Sequence, residues 1–238
     1  MTRTTLGSSL IALGLVFFSA ASTQGLELEV GFQLGLGMTK ASYEASSLLG
    51  DELDANSKFG PGVFGGFPVS VLFSGASRTS LETGVFVWQR GGETEFRGPI
   101  ADELGNIVGE SSSVADWKLS YLTLPVTGKY RFSEGRTGFY LKSGLEAAFL
   151  LSAKCEQTSD IEGLDPSKAL EEDVTEDFTV ADFSALVAVG YEFRSANRSW
   201  FVEILHAQGW KDVLRPSDAA FAVDVYNRSF GLSLGVLF

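Results

Sequence analysis

The chain has 238 residues, with 27 Gly, 19 Phe, a formal net charge of −12 and a mean hydropathy of +0.13. That length allows one all-β domain with a sizeable core, and the acidity argues against a nucleic-acid partner, whose phosphates need Lys and Arg. After the N-terminal segment no stretch holds the ~20 apolar residues of a membrane helix, which leaves a closed barrel with alternating apolar residues as the way to span a bilayer.

The first element reads as a leader. Arg3 is the only charge before Glu27, Leu6–Phe18 is apolar but too short for a stable span, and Ser19, Ala20 and Ala21 are the small residues of a cleavage site. The expected division is a secretory signal over 1–21 and a single domain over 22–238. No Cys follows the apolar core, so no lipid anchor is expected, and the lone Cys155 cannot form an internal disulfide.

Residues 26–39 read LELEVGFQLGLGMT, with Leu26, Leu28, Val30, Phe32, Leu34, Leu36 and Met38 on one parity and Glu, Gly, Gln and Thr on the other. This is the two-residue period of a strand, at a length that suits a tilted membrane crossing. The pattern recurs over 59–73 (Phe59, Val63, Phe67, Val69, Val71, Phe73), 81–89 (Leu81, Val85, Val87) and 122–132 (Leu122, Leu124, Val126, Tyr130, Phe132). It returns over 139–151 (Phe139, Leu141, Leu145, Phe149, Leu151), 183–193 (Phe183, Val187, Val189, Tyr191, Phe193), 200–204 (Trp200, Val202, Ile204) and 230–238 (Phe230, Leu232, Leu234, Val236, Phe238). Pro125 sits inside the fourth run, where it removes a ladder donor, so a bulge or a lumen-side water is expected there.

The connections alternate in length. Those over 74–80, 133–137 and 194–199 are short, and those over 40–57, 92–116, 155–177 and 209–224 are long. Short turns at one end and long loops at the other are the layout of bacterial outer-membrane barrels, the short turns being periplasmic. The third long loop is acidic, from Glu156 and Asp160 through Glu171, Glu172 and Asp173 to Glu176 and Asp177. Its irregular spacing matches no EF-hand, so it reads as a solvated surface, and cation-mediated contact with lipopolysaccharide is the weaker alternative.

Eight alternating strands also fit a soluble lipocalin-like barrel. The polar parity decides between the two. A solvated face would be rich in Lys and Glu, whereas here it is mostly small: Gly31, Gly35, Gly37, Gly60, Gly62, Gly66, Gly84, Gly144, Gly190, Gly231, Ser233 and Gly235. Small residues suit the cramped lumen of an eight-stranded barrel, and the apolar parity is nearly free of mid-strand charge, as hydrocarbon demands. Tyr130, Phe132, Phe139, Tyr191, Phe193 and Trp200 cluster beside the short turns, and Trp88, Trp117, Trp210 and Tyr226 lie nearer the loops, a pattern of two aromatic girdles, although Trp88 has lumen parity.

Tyr121–Phe132, YLTLPVTGKYRF, resembles the YLxxP…KYRF strand of PorT-like outer-membrane β-barrel proteins. Thr83–Gly91, Gly138–Gly144, Asp182–Glu192 and Asn227–Phe238 resemble that family's neighbouring, fifth, sixth and closing strands in the same order. Leu205-His206 departs from the pattern, which there has an Arg-Tyr-like pair. The resemblance implies an outer-membrane barrel and allows a role as an accessory of protein secretion. Phe230, Leu232, Leu234, Val236 and Phe238 also resemble the closing-strand signal read by the outer-membrane assembly machinery.

The lumen parity carries Glu29, Glu82, Lys129, Arg131, Lys142, Glu146, Asp182, Glu192 and Glu203. Charges in a narrow interior of low dielectric must pair or keep water, so a structural plug of ion pairs is expected, with a narrow ion path as the alternative. His206 is the sole histidine. It has no Ser two residues on in its strand, so a polar residue at the membrane interface is a better reading of it than a lipid A deacylase base. The expectation is therefore an all-β, eight-stranded antiparallel up-and-down transmembrane β-barrel. It is a non-enzymatic monomer without cofactor or metal, exported to the outer membrane of a diderm bacterium, and its partners are outer-membrane lipid, lipopolysaccharide and the assembly machinery.

Overall fold

The computed structural model describes residues 26–45, 54–73, 78–101, 107–134, 137–161, 170–195, 198–210 and 223–238, and the expected leader over 1–21 lies outside them. The strands in chain order are β1 (Leu26–Ala45), β2 (Asp54–Phe73), β3 (Thr79–Ala101), β4 (Ile107–Arg131), β5 (Gly138–Ile161), β6 (Leu170–Asp173), β7 (Ala181–Ser195), β8 (Arg198–Gly209) and β9 (Val223–Leu237). Eight of them, all but β6, form a wall of antiparallel neighbours in the order β4-β3-β2-β1-β9-β8-β7-β5, and the β4–β5 pairing closes it. The first and last strands meet along a ladder from Gly31↔Leu237 to Ala45↔Val223. This is a closed eight-stranded up-and-down barrel.

The two-residue period sets which way each residue faces. Leu34, Leu36, Phe67, Leu145, Ile204 and Leu234 are all more than half exposed on the outer wall, while Gln33, Phe64, Glu146, Leu205 and Ser233 are buried inside. The outer wall is thus an apolar belt. From Trp200 to Trp210 along β8 the rise is about 25 Å for strands tilted by roughly 40°, which matches the apolar band of outer-membrane barrels. Phe132, Phe139 and Trp200 edge it at the short-turn end.

The strands run well past this belt at the other end, and this corrects the expected loops. The segment over 92–116 is mostly hairpin, since β3 and β4 pair from Gly92↔Trp117 up to Ala101↔Ile107. β1 likewise continues to Ala45 and β5 to Ile161. Beyond the belt the outer face no longer meets acyl chains, so the apolar alternation vanishes although the backbone ladder goes on. The part of β3 beyond Gln89 rises roughly 30 Å further.

The chain over 155–177 also contains structure that alternation cannot show. β6 pairs with the upper part of β5 from Lys154↔Asp173 to Gln157↔Leu170, and β7 takes over the same edge from Phe149↔Ala181 downward. β6 and β7 therefore form one interrupted strand. Leu150–Ala153 of β5 faces the longer segment Val174–Val180, whose excess is taken up by a 3-10 turn over Thr175–Asp177. Thr175 holds the interruption closed: its hydroxyl accepts from the Ala153 amide at 2.9 Å, and the Val174 amide donates to the Ala153 carbonyl at 3.0 Å.

Pro125 is accommodated by a break in pairing. The β3–β4 ladder skips from Thr83↔Val126 to Phe86↔Thr123, and the Thr83 hydroxyl donates to the Pro125 carbonyl at 2.8 Å. Pro68 sits at a similar skip between Val30↔Val69 and Gln33↔Gly66. The two aromatic girdles need one correction. Trp88 is buried against Phe64, with centroids 4.6 Å apart, and Trp117 packs its edge on Phe178 at the barrel mouth. Lumen parity, which both share, sends them inward.

Candidate functional site

The lumen holds the chemistry. At the short-turn end three carboxylates and three cations interlock. Lys129 contacts Glu82 at 2.9 Å and Glu192 at 2.6 Å. Lys142 contacts Glu82 at 3.0 Å and Glu203 at 2.5 Å, and Arg131 reaches Glu192 at 3.3 Å. The Tyr140 hydroxyl donates to Glu203 at 3.0 Å, and the Lys129 ammonium lies 4.1 Å from the centre of the Tyr140 ring. Gln33 donates to Ser233 at 2.8 Å and to Glu203 at 3.4 Å. These side chains come from seven of the eight wall strands, all but β2.

All six charges are buried and their signs balance. Buried pairs return little net stability against an apolar replacement, but a lone survivor is costly. Such a network therefore fixes which strand faces which across the lumen. Tyr140 explains one glycine: a Cβ at Gly190 would run into its ring and into the Val202 carbonyl, so only Gly lets the ring lie over β7.

A second cluster lies toward the mouth. Arg90 and Glu146 form a buried ion pair, and the Ser184 hydroxyl donates to Glu146 at 3.0 Å. The Arg90 guanidinium stacks 4.4 Å from the Trp88 ring centre. Asp182 stands apart and accepts from the Asn227 amide at 3.0 Å. Between the two clusters lies a cavity of about 40 Å³, lined by Glu82, Lys142, Glu146, Glu203, Pro68 and Pro125 among others. At ~10–15 Å³ each it holds roughly three waters, far short of a continuous aqueous path. Above it, Phe178 from the strand interruption is buried with Leu119, Tyr121, Ala148 and Ala153 on the β4–β5 side of the lumen.

Of the expected plug residues, Glu82, Lys129, Arg131, Lys142, Glu192 and Glu203 come together in one network, Glu146 joins the second cluster, and Asp182 joins neither by contact. Sequence reasoning missed Arg90, Tyr140, Gln33, Asn227 and Phe178. Arg90 shares lumen parity with Glu82 and Trp88, which was the available signal. Phe178 gives none, because it lies in the interruption. Cys155 is buried at the mouth, where desolvation, and then the Glu172 and Asp116 carboxylates, push its thiol above the ordinary range. Glu156 pairs with Lys118 at 2.9 Å, and Asp173 accepts from the Thr175 amide and hydroxyl. Glu162 and Asp165 of the acidic stretch lie outside the described residues. His206 donates through Nδ1 to the Ser229 carbonyl at 3.0 Å and stacks on Phe230 at 4.4 Å.

A family profile described as an outer membrane protein beta-barrel domain matches residues 19–214. No curated protein matches the chain. Similar solved structures include the outer membrane protein OprG from Pseudomonas aeruginosa, at 8% identity over 88% of this chain and 95% of that chain, with a TM-score of 0.41. Neisserial surface protein A shares 16% identity over 87% of this chain and 95% of that one, with a TM-score of 0.35. For Ail, the attachment invasion locus protein of Yersinia pestis, the values are 14%, 89%, 99% and 0.34. Likeness at this level says nothing of activity or ligand.

Proposed function

The chain belongs to the family of outer membrane protein beta-barrel domains, which sets it in the outer membrane of Gram-negative bacteria, and from that premise we propose that it is a non-enzymatic, non-conducting barrel whose task is carried out at its long-loop end. What supports this reading is the packing of the described lumen residues: two buried ionic clusters, the buried Phe178 cluster and a cavity of only about 40 Å³ between the ionic clusters. What remains for function is the outer surface. There β3, β4 and β5 extend past the apolar belt as a tall, polar-faced sheet, directed away from the cell when the short turns are periplasmic. The role is structural or one of surface interaction.

The leader over 1–21 carries export in this reading, and β9 supplies the strand recognised by the assembly machinery, with Phe230, Leu232 and Leu234 outward. The mature barrel is a monomer surrounded by outer-membrane lipid and lipopolysaccharide. A second reading, an accessory of protein secretion, is supported by the PorT-like strand Tyr121–Phe132, whose Lys129 and Arg131 both enter the lumen network.

Single-channel recording from the barrel reconstituted in a planar bilayer tests the main reading. The expected record is flat, and stable ion-selective steps would refute the plugged lumen. Lipid A from overexpressing cells is expected unchanged in mass. Crosslinking in intact cells separates the two roles: periplasmic secretion components captured by the short turns favour the accessory, and exterior ligands captured by the extended sheet favour surface interaction.

A further inference from the structure

Most outward-facing cations beyond the apolar belt are matched by acids. Lys58 pairs with Glu93 at 2.8 Å, Arg97 with Glu95 at 2.6 Å, and Lys118 with Glu156 at 2.9 Å. Across the barrel the pattern breaks. Lys40 of β1 and Arg228 of β9 stand directly opposite one another in the ladder, both with outward parity, and neither has an ion pair among the described residues. Like charges facing each other across a sheet repel and destabilise it. Two such cations, side by side and without an ion pair among the described residues, are suited to an anion from outside the wall.

Their level identifies that anion. The next outward rung toward the membrane pairs Met38 with Phe230, and Leu36 with Leu232 lies below it, all strongly exposed. Lys40 and Arg228 thus occupy the first polar rung above the apolar wall, where acyl chains give way to headgroups. The Lys40 ammonium lies 5.9 Å from the Phe59 ring centre, and Phe59 packs against Phe230 at 5.9 Å. On the other flank Gln208 stands opposite Arg228. His206 is stacked on Phe230, and its Nδ1 is committed to Ser229, which leaves Nε2 as its free polar atom. Two rungs farther out the ladder pairs Glu44 with Asp224, so along these strands the residues turn acidic toward the loops.

We propose that Lys40 and Arg228, flanked by His206 and Gln208, form a docking site for the phosphate of an outer-leaflet lipid headgroup, whose acyl chains lie along the Leu36 and Leu232 surface below. The proposal rests on the membrane-barrel reading with the long-loop end outward. It commits to a lipid because the site opens sideways from the wall, continuous with the exposed apolar surface of Met38, Phe230, Leu36 and Leu232. A phosphate bridging the two cations turns a repulsive rung into a favourable one.

The test uses the full barrel folded in nonionic-detergent micelles with equal amounts of dioleoyl phosphatidic acid and dioleoyl phosphatidylcholine, bound lipid being counted by native mass spectrometry. Wild type retains phosphatidic acid preferentially. Lys40→Gln or Arg228→Gln lowers that preference about fivefold, and the double variant about 25-fold. A control carrying Lys58→Gln and Lys118→Gln removes the same charge from the ion-paired side and keeps the preference. The proposal is overturned if the control falls as far as the double variant, if the double variant binds like wild type, or if millimolar inorganic phosphate displaces the lipid completely, which would mark a plain anion site. Heat-modifiable migration on electrophoresis confirms that each variant is folded, and the single variants serve if the double does not fold. A barrel folded in micelles without lipid preference sinks this site alone, whereas a chain that stays folded and monomeric in plain buffer sinks the membrane reading beneath it.

Discussion

Replacing Lys129 by Met probes whether the lumen is a dry, interlocked plug. Lys129 is the shared cation of Glu82 and Glu192, at 2.9 and 2.6 Å. Methionine keeps much of the side-chain volume and removes the charge. Each carboxylate retains one partner, Lys142 for Glu82 at 3.0 Å and Arg131 for Glu192 at 3.3 Å. The cost then lies at the lower end of what breaking a buried pair imposes, about 3 kcal/mol, equivalent to a ~150-fold fall in the folded-to-unfolded ratio. Glu192→Gln alone leaves Arg131 and Lys129 short of an acid and costs a similar amount. The double variant restores the count, two carboxylates against two cations, but leaves Arg131 without the acid it contacts at 3.3 Å. Its cost should therefore fall below the sum of the two single changes by about 1–2 kcal/mol, since residues within one network are not additive. Reversible urea unfolding from phospholipid vesicles, followed by tryptophan fluorescence, measures all three. Single costs below about 1 kcal/mol that simply add would refute the reasoning, because charges so weakly coupled are screened by water, and a wet lumen reinstates an ion path.

Four further outcomes follow from the same structure. Gly190→Ala drives a methyl into the Tyr140 ring and the Val202 carbonyl, so folding yield in vesicles should fall by electrophoretic shift, and full yield would mean the ring does not lie over β7. Leu34→Arg puts a charge on the mid-belt outer wall and should cost roughly 2–4 kcal/mol in vesicles; a neutral result would mean this wall does not face hydrocarbon. Because burial raises the Cys155 thiol, thiolate is scarce at neutral pH, and maleimide labelling should be slow until the pH passes the ordinary thiol range; rapid labelling at pH 7 in the folded barrel contradicts that burial. Trimming residues 93–116 to a short turn removes exposed pairs such as Lys58–Glu93, each worth about 0–1 kcal/mol, and should leave barrel unfolding nearly unchanged; failure to fold would make the extended sheet part of the folding unit.

The sequence carries the barrel wherever lipid contact imposes an alternation. Leu26–Thr39 obeys it at every step, and the residues of its apolar parity face outward in the structure. Where the constraint ends, legibility ends: the β3–β4 ladder continues to Ala101↔Ile107 without an apolar pattern, because a wall past the acyl chains needs none. The lumen charges were visible as a set, since a charge at lumen parity is rare among glycines and serines. Their division into two clusters was not, because it depends on shear, the stagger that brings Lys142 between Glu82 and Glu203 rather than beside its ladder neighbour Lys129. Phe178 escaped for another reason. Three residues more than the ladder needs, between β6 and β7, disrupt the period that would have shown which way it points.

The lumen is layered, and the layering bears on function. From the short-turn end, the six-charge network sits with Tyr140, Phe201 and Leu237. An apolar layer of Phe64, Trp88, Leu186 and Leu205 follows, then the Arg90–Glu146 pair, then the Phe178 cluster at the mouth. An ion moving along the axis would have to separate two sets of buried pairs. Each broken buried pair costs about 3–5 kcal/mol, and the cavity of about 40 Å³ between the sets has room for too few waters to offset the loss. On the proposed reading, such an interior holds strand order rather than passing a solute. Selection for a biological task then acts on what the plug leaves free: the short turns, the extended sheet of β3 to β5, and the belt-edge rung where Lys40 faces Arg228.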